Sequence, residues 1–195
     1  VLAVLLVLWV ISPAEAWKGM SEMEAALLSR VNQARISPAA TLKQAGDEGK
    51  AFVKNHPELE ESLEKGMDPL LPDERLFTSA STHAEAMVDE SYFSTISKHG
   101  NTPEDTILLA RYLPLVSDEA MAVILFSNYL DKASAIDRLY ENLVENEMGK
   151  TASPVLFEPE FKDVGLVIRT GVYDLQGIRL NYYLAVVDLG ADSVE

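Results

Sequence analysis

The chain has no cysteine. A disulfide framework, a thiolate zinc site and a cysteine nucleophile are therefore excluded. Histidine is almost as scarce: His56, His83 and His99 are the only three in 195 residues. No two of them fall at i, i+3 or i, i+4, the spacing that helical metal sites need, and no H-E-x-x-H occurs. Basic residues are few: 16 Lys and Arg stand against 31 Asp and Glu, for a formal net charge of −15. Nucleic acid and anionic membrane surfaces both need basic patches, so neither is an expected partner. The densest acidic run, "PELEESLEKG" over 57–66, reads as a solvated helix face. No internal repeat or low-complexity linker interrupts the chain.

Only one long apolar run is present. Residues 1–11 are unbroken, Ser12 and Pro13 end the run, and Ala14-Glu15-Ala16 gives the small-x-small pattern of a signal-peptidase site. Eleven residues fall short of the roughly 17–25 that a membrane-spanning helix needs. Residues 1–16 are expected to be a cleaved signal peptide, with Trp17 opening a secreted or periplasmic mature chain that has no integral membrane span. Residues 17–195, in a chain 48% apolar overall, suffice for a single domain.

The first two thirds of that domain reads as helix. Ser21 with Glu24 forms a capping box, and Leu27, Val31 and Ala34 recur at i, i+4, i+7. A short helix follows with Ser37 as N-cap, Pro38 at N1 and Gly46 at C′, and 47–55 is expected to continue helically. Another starts at Pro57 and ends at Gly66. The clearest helix spans about 73–90, with Leu76, Ala80, His83 and Met87 on one face. Thr102 caps a helix beginning at Pro103, with Glu104 and Asp105 at its positive end. Ser117 reads as the cap of a helix over "DEAMAVILFSNYL", and Ile136, Tyr140 and Leu143 mark one more over about 132–146. After Gly149 the texture changes to β-branched and aromatic residues. "VGLVIRTGVY" and "IRLNYYLAVVDLG" flank Asp174-Leu175-Gln176-Gly177, a hairpin whose strands are apolar on both faces. Such strands belong in a sheet covered on two sides.

Chemistry is sparsely signalled. His56, beside Pro57 in a charged loop, is expected exposed. His83 lies on an apolar helix face, as a buried histidine bonded to backbone or carboxylate, or as a ligand or base. His99 sits in a Gly-flanked turn, as a turn residue or a base. There is no G-x-S-x-G elbow. Gly149-Lys150-Thr151 is not a P-loop, since its upstream glycine would fall at Val144.

Six motifs in order resemble the CAP superfamily, the SCP-like domain, in its cysteine-free bacterial form. They are "LLSRVNQARISPAATL" with its Asn-x-x-Arg, "MDPLLPDERLFTSASTHAEAMVDESYFS", "YFSTISKHGNTPEDTI", "SDEAMAV", "SPVLFEPEFKDVGLVI" and "YYLAVVDLG". The resemblance covers roughly residues 24–190. It implies an α/β fold, a three-layer α-β-α sandwich of the CAP type around a small central antiparallel sheet. It also implies a cavity where relatives carry two His and two Glu able to hold a divalent metal. Here the first histidine position is Thr95 and the second is Ala152. The first glutamate lands on Glu119, and the second on Glu141 or Glu145. Thr95 and Ala152 supply no basic nitrogen, so no metal and no other cofactor is expected. The candidate cavity residues are His83, Thr95, His99, Glu119 and Ala152, with His83, His99 and Glu119 able in principle to form a rebuilt site.

Three functional readings follow. The first is an exported non-catalytic domain that binds a small apolar ligand, an envelope component or a protein partner. The second is a hydrolase using Glu119 with His83 or His99 as acid and base. The third is a structural module of a surface assembly.

Overall fold

The computed structural model describes residues 19–149 and 154–192; the expected signal peptide and Ala152 lie outside the described residues. Helix α1, Glu22–Ile36, starts at the capping box read from sequence: Ser21 Oγ accepts from Glu24 N, and Glu24 Oε2 accepts from Ser21 N at 2.7 Å. Its stripe Leu27, Val31 and Ala34 is buried. Pro38–Gln44 forms α2, and Gly46 beyond it takes a positive φ of 65°. That turn separates α2 from α3, Asp47–Asn55, so 47–55 is a helix of its own. A 3-10 turn at Pro57–Leu59 leads into α4, Glu60–Lys65, which ends at Gly66 with φ 84°. The long helix α5, Glu74–Glu90, is capped by Asp73 and buries Leu76, Ala80, His83 and Met87. Thr102 and Asp105 form the capping box of α6, Pro103–Leu109. Helix α7 spans Lys132–Met148.

Among the described residues the sheet has four strands in the order β1-β3-β4-β2: β1 Leu71–Pro72, β2 Pro114–Phe126, β3 Asp163–Leu175 and β4 Ile178–Asp192. Strands β3 and β4 are the expected hairpin. Gln176 and Gly177 both take positive φ, 54° and 87°, the backbone a two-residue hairpin turn demands. The sheet is mixed, not purely antiparallel, because β1 pairs with β3 in parallel.

The second departure from expectation is β2. The Ser117 cap signal and the acids after it resemble a helix start, yet the segment pairs antiparallel with β4 from Pro114 to Phe126. Tertiary pairing overrides a weak local propensity here. The alternation is visible once the partner is known. Ala120 and Ala122 point to one face, and Met121 and Val123 pack against the other.

These two faces divide the core. On the first, α1, α7 and the short helices cover Val164, Leu166, Ala185, Val187 and Leu189. On the second, Ala80, Ala84 and Met87 of α5 cover Val167, Tyr182, Leu184 and Val186. Gly165 lets α5 lie close on β3, because a Cβ there would sit inside the Leu76 peptide. The two-sided burial read from the hairpin holds at its inner half; the outer half, around Leu175 and Ile178, is exposed.

His56 is buried, only 3% exposed, contrary to expectation. The bend at Pro57 turns its ring back onto Phe52, with centroids 4.7 Å apart, while Nδ1 meets Glu58 Oε1 at 2.9 Å.

The Asn-x-x-Arg of α1 closes the first face. Arg35 is fully buried and donates to four backbone carbonyls: Asp68 at 3.2 Å, Leu156 at 2.9 Å, Glu158 at 3.0 Å and Phe161 at 3.0 Å. Asn32, one turn earlier, exchanges two hydrogen bonds with the Leu70 backbone. Burial lowers the Arg35 pKa to about 10, which still leaves it charged at neutral pH. Arg35→Met should therefore strand several carbonyls at once and cost about 3 kcal/mol or more, read as a fall in the urea midpoint with an unchanged slope.

Candidate functional site

Helix α5 places Ser79 and His83 one turn apart on the face it turns to the sheet. Below them, β2 and β4 bring Glu119 and Asp188 directly opposite one another in register. Strand periodicity puts both side chains on the α5 face, the face of Met121 and Val186. His83 Nδ1 meets Glu119 Oε2 at 2.6 Å. The cluster is sealed: His83 is 2% exposed, Glu119 1% and Asp188 0%.

Two carboxylates facing each other in a sealed space cannot both be ionised at low cost. Burial, reinforced by the charge of Glu119, raises the Asp188 pKa well above the ordinary 3.8, and the Ser79 hydroxyl and His83 only partly oppose this. Asp188 thus holds its proton to higher pH than a free carboxyl does. The His83 pKa is pushed below 6.5 by burial, against the pull of Asp188 and of the Ser94 backbone. A neutral imidazole whose Nδ1 meets Glu119 fits both observations.

Above this cluster lies a pocket of about 310 Å³, enclosed by α5, α6 and the loop between them. Its lining includes Ser79, His83 and Tyr92, together with Ala86, Glu90 and Leu109. Ser79 Oγ, His83 Nε2 and Tyr92 Oη are buried and make no hydrogen bond of ordinary length and angle. Burial, with Glu90 and Glu119 nearby, raises the Tyr92 pKa, so its hydroxyl stays protonated.

The residues singled out from sequence are placed unequally. His83 and Glu119 come together. His99 lines the same pocket but on its rim, with a side chain 81% exposed and Nε2 3.6 Å from Glu90 Oε1. It is not part of the His83–Glu119 contact. Thr95 is half-buried in the loop and does not line the pocket. Glu141 and Glu145 are exposed on α7, which packs over the opposite face of the sheet. The second carboxyl beside Glu119 is instead Asp188, a residue that the sequence reading passed over. Its signal was a lone acid inside the apolar run "YYLAVVDLG". Ser79 could have been found as the residue one turn before His83. Among the described residues, no three His, Asp or Glu side chains are grouped to hold a metal ion, and no helix is long and apolar enough to cross a membrane.

The cluster has a signed pH dependence. Above about pH 3.8 the unfolded chain has released the Asp188 proton and the folded chain has not, so this contribution falls as pH rises. His83 acts oppositely: below 6.5 the unfolded imidazole is protonated and the folded one resists, so its contribution falls as pH drops. Asp188→Asn should flatten the alkaline side. Thermal unfolding from about pH 5 to about pH 9 should show the variant gaining on the native protein by up to about 1.4 kcal/mol per pH unit.

No protein-family profile matches the chain, and no curated protein is detectably similar to it. Two solved structures are similar. An extracellular protein containing an SCP domain from Bacillus anthracis is 15% identical, with a TM-score of 0.42, over 65% of this chain and 35% of that one. An outer surface protein from Borrelia burgdorferi is 14% identical, also with a TM-score of 0.42, over 76% of this chain and 95% of that one. This chain spans about a third of the length of the Bacillus protein it resembles.

Proposed function

We propose that the chain is an exported, non-catalytic domain of the CAP type, a three-layer α-β-α sandwich that binds a small ligand in the pocket between α5 and α6. The observation that carries this reading is the coincidence of a pocket with orphaned polar atoms. Ser79 Oγ, His83 Nε2 and Tyr92 Oη line or underlie the cavity without hydrogen bonds of ordinary geometry. Each such group costs about 1–3 kcal/mol while it has no partner, and a bound polar head would recover that cost. The lining is otherwise largely apolar, with Ala86, Leu109 and Ala110 supplying its walls. Helices over both faces of the sheet, and the Arg35 and Asn32 contacts made by the Asn-x-x-Arg motif, support the family reading. Export rests on residues 1–16.

A hydrolase is the second reading, and the 2.6 Å contact favours it, since a histidine oriented by a carboxylate is the base of many nucleophilic sites. In that case His83 would act and Glu119 would orient it. Glu119 does not line the pocket, and no nucleophile is hydrogen-bonded to His83 Nε2.

Nile red, a neutral apolar dye, should bind the mature protein with one site. Ala86→Phe, which fills the cavity, should weaken that binding at least ~10-fold while leaving the fold intact by circular dichroism. Equal binding by both proteins would place the ligand elsewhere. The exported form, sequenced from its N-terminus, should begin at Trp17.

A further inference from the structure

A sheet in the order β1-β3-β4-β2 has two outer edges, and an edge presents backbone groups that a further strand can pair with. On one side β1 covers β3 only at Asp163 and Val164. On the other, among the described residues, no strand lies beyond β2. Side chains take the backbone groups on both edges. On β3, the Ile168 N–H donates to Glu24 Oε1 of α1 at 2.9 Å, and Arg169 Nη1 donates to the Ile168 carbonyl at 3.2 Å. On β2, a register shift between Pro114 and Val116 breaks the start of the ladder. Next along the strand, the Glu119 N–H donates to Asp118 Oδ1 at 2.7 Å. Helix α7 supplies the rest: the Val123 N–H donates to Asn142 Oδ1 at 3.2 Å, and Asn146 Nδ2 donates to the Met121 carbonyl at 3.1 Å.

The two asparagines stand where a strand would. A parallel neighbour with one residue opposite Ala122 would give its N–H to the Met121 carbonyl and its C=O to the Val123 N–H. Asn146 gives the first of these bonds and Asn142 the second, and Asn146 Nδ2 also lies 3.5 Å from Asn142 Oδ1. The spacing fits. Four residues of helix rise about 6 Å and two residues of strand about 6.6 Å, so an i, i+4 pair matches backbone groups two residues apart. Neither helix propensity nor core packing calls for asparagine here, since Asn146 is exposed and Asn142 only partly buried. The edge they occupy carries residues 120–126, Ala-Met-Ala-Val-Ile-Leu-Phe, an uncharged apolar run without proline. Such a run pairs readily with its own copy, and two antiparallel copies of one edge form a closed two-fold contact. We propose that Asn142 and Asn146 close the β2 edge against pairing with the same edge of a second copy of this chain.

The test compares the mature protein with an Asn142→Ala/Asn146→Ala variant by light scattering from micromolar to millimolar concentration. The native protein should keep the mass of one chain throughout. The variant should rise towards twice that mass or beyond as concentration rises. Amide hydrogen exchange separates edge pairing from general stickiness: in the variant, the Val123 amide should exchange fast when dilute and slow when concentrated. Asn142→Asp, which keeps the acceptor for Val123, should remain a single chain. A variant that stays a single chain at millimolar concentration overturns the proposal. Association without concentration-dependent protection of Val123 also overturns it, as does equal association by Asn142→Asp. Should the double variant not fold by circular dichroism, Asn146→Ala alone, at an exposed position, takes its place with the same expected outcomes. In the native protein, the Val123 amide should exchange at least ~100-fold more slowly than an unstructured chain, and exchange at the unstructured rate overturns the assignment with no variant needed.

Discussion

The fold depends on one buried cation. Arg35 reaches from α1 to carbonyls at Asp68, Leu156, Glu158 and Phe161, which lie in two irregular stretches far apart in sequence. Irregular backbone inside a core is costly unless its polar groups are satisfied. One guanidinium satisfies four of them and fixes where the chain enters β1 and β3. That fixes the sheet edge on which α5 then lies. Asn32 does the same for Leu70 on a smaller scale.

The other face is organised by a different problem. The register that buries Met121 and Val123 also buries Glu119, and the register that buries Leu184 and Val186 also buries Asp188. Period-2 alternation leaves no way to turn one acid outward without turning out the apolar residues beside it. The raised pKa of Asp188, with His83 against Glu119, eases the conflict without moving the backbone. The pair also marks the register: a slip of two residues would leave both acids buried and apart.

Much of the fold was legible in the sequence because its signals were local. The capping boxes at Ser21 and Thr102, the Leu76–Met87 stripe and the hairpin turn at Gln176-Gly177 each act over a few residues. Strand β2 was misread because its cap-like start is also local, whereas its strand character comes from a partner some seventy residues away in the chain. The site divided the same way. His83 and Glu119 were visible as residues, but their meeting depends on that same long-range pairing. Asp188 was overlooked because a single acid in a strand reveals nothing until its neighbour across the sheet is known. His56 was misplaced because Pro57 bends the chain inward, a direction that local pattern does not encode.

The two faces of the sheet are therefore held by chemically unlike means. Arg35 stays charged across the ordinary range of pH, so the layer of α1 and α7 is fastened by a contact indifferent to proton concentration. The layer of α5 rests on His83 and Asp188, two groups whose protonation is shifted by burial. Excess acid or alkali would reach the sheet from that side first. The molecule has, in effect, a fixed back and a responsive front, and the pocket opens on the front.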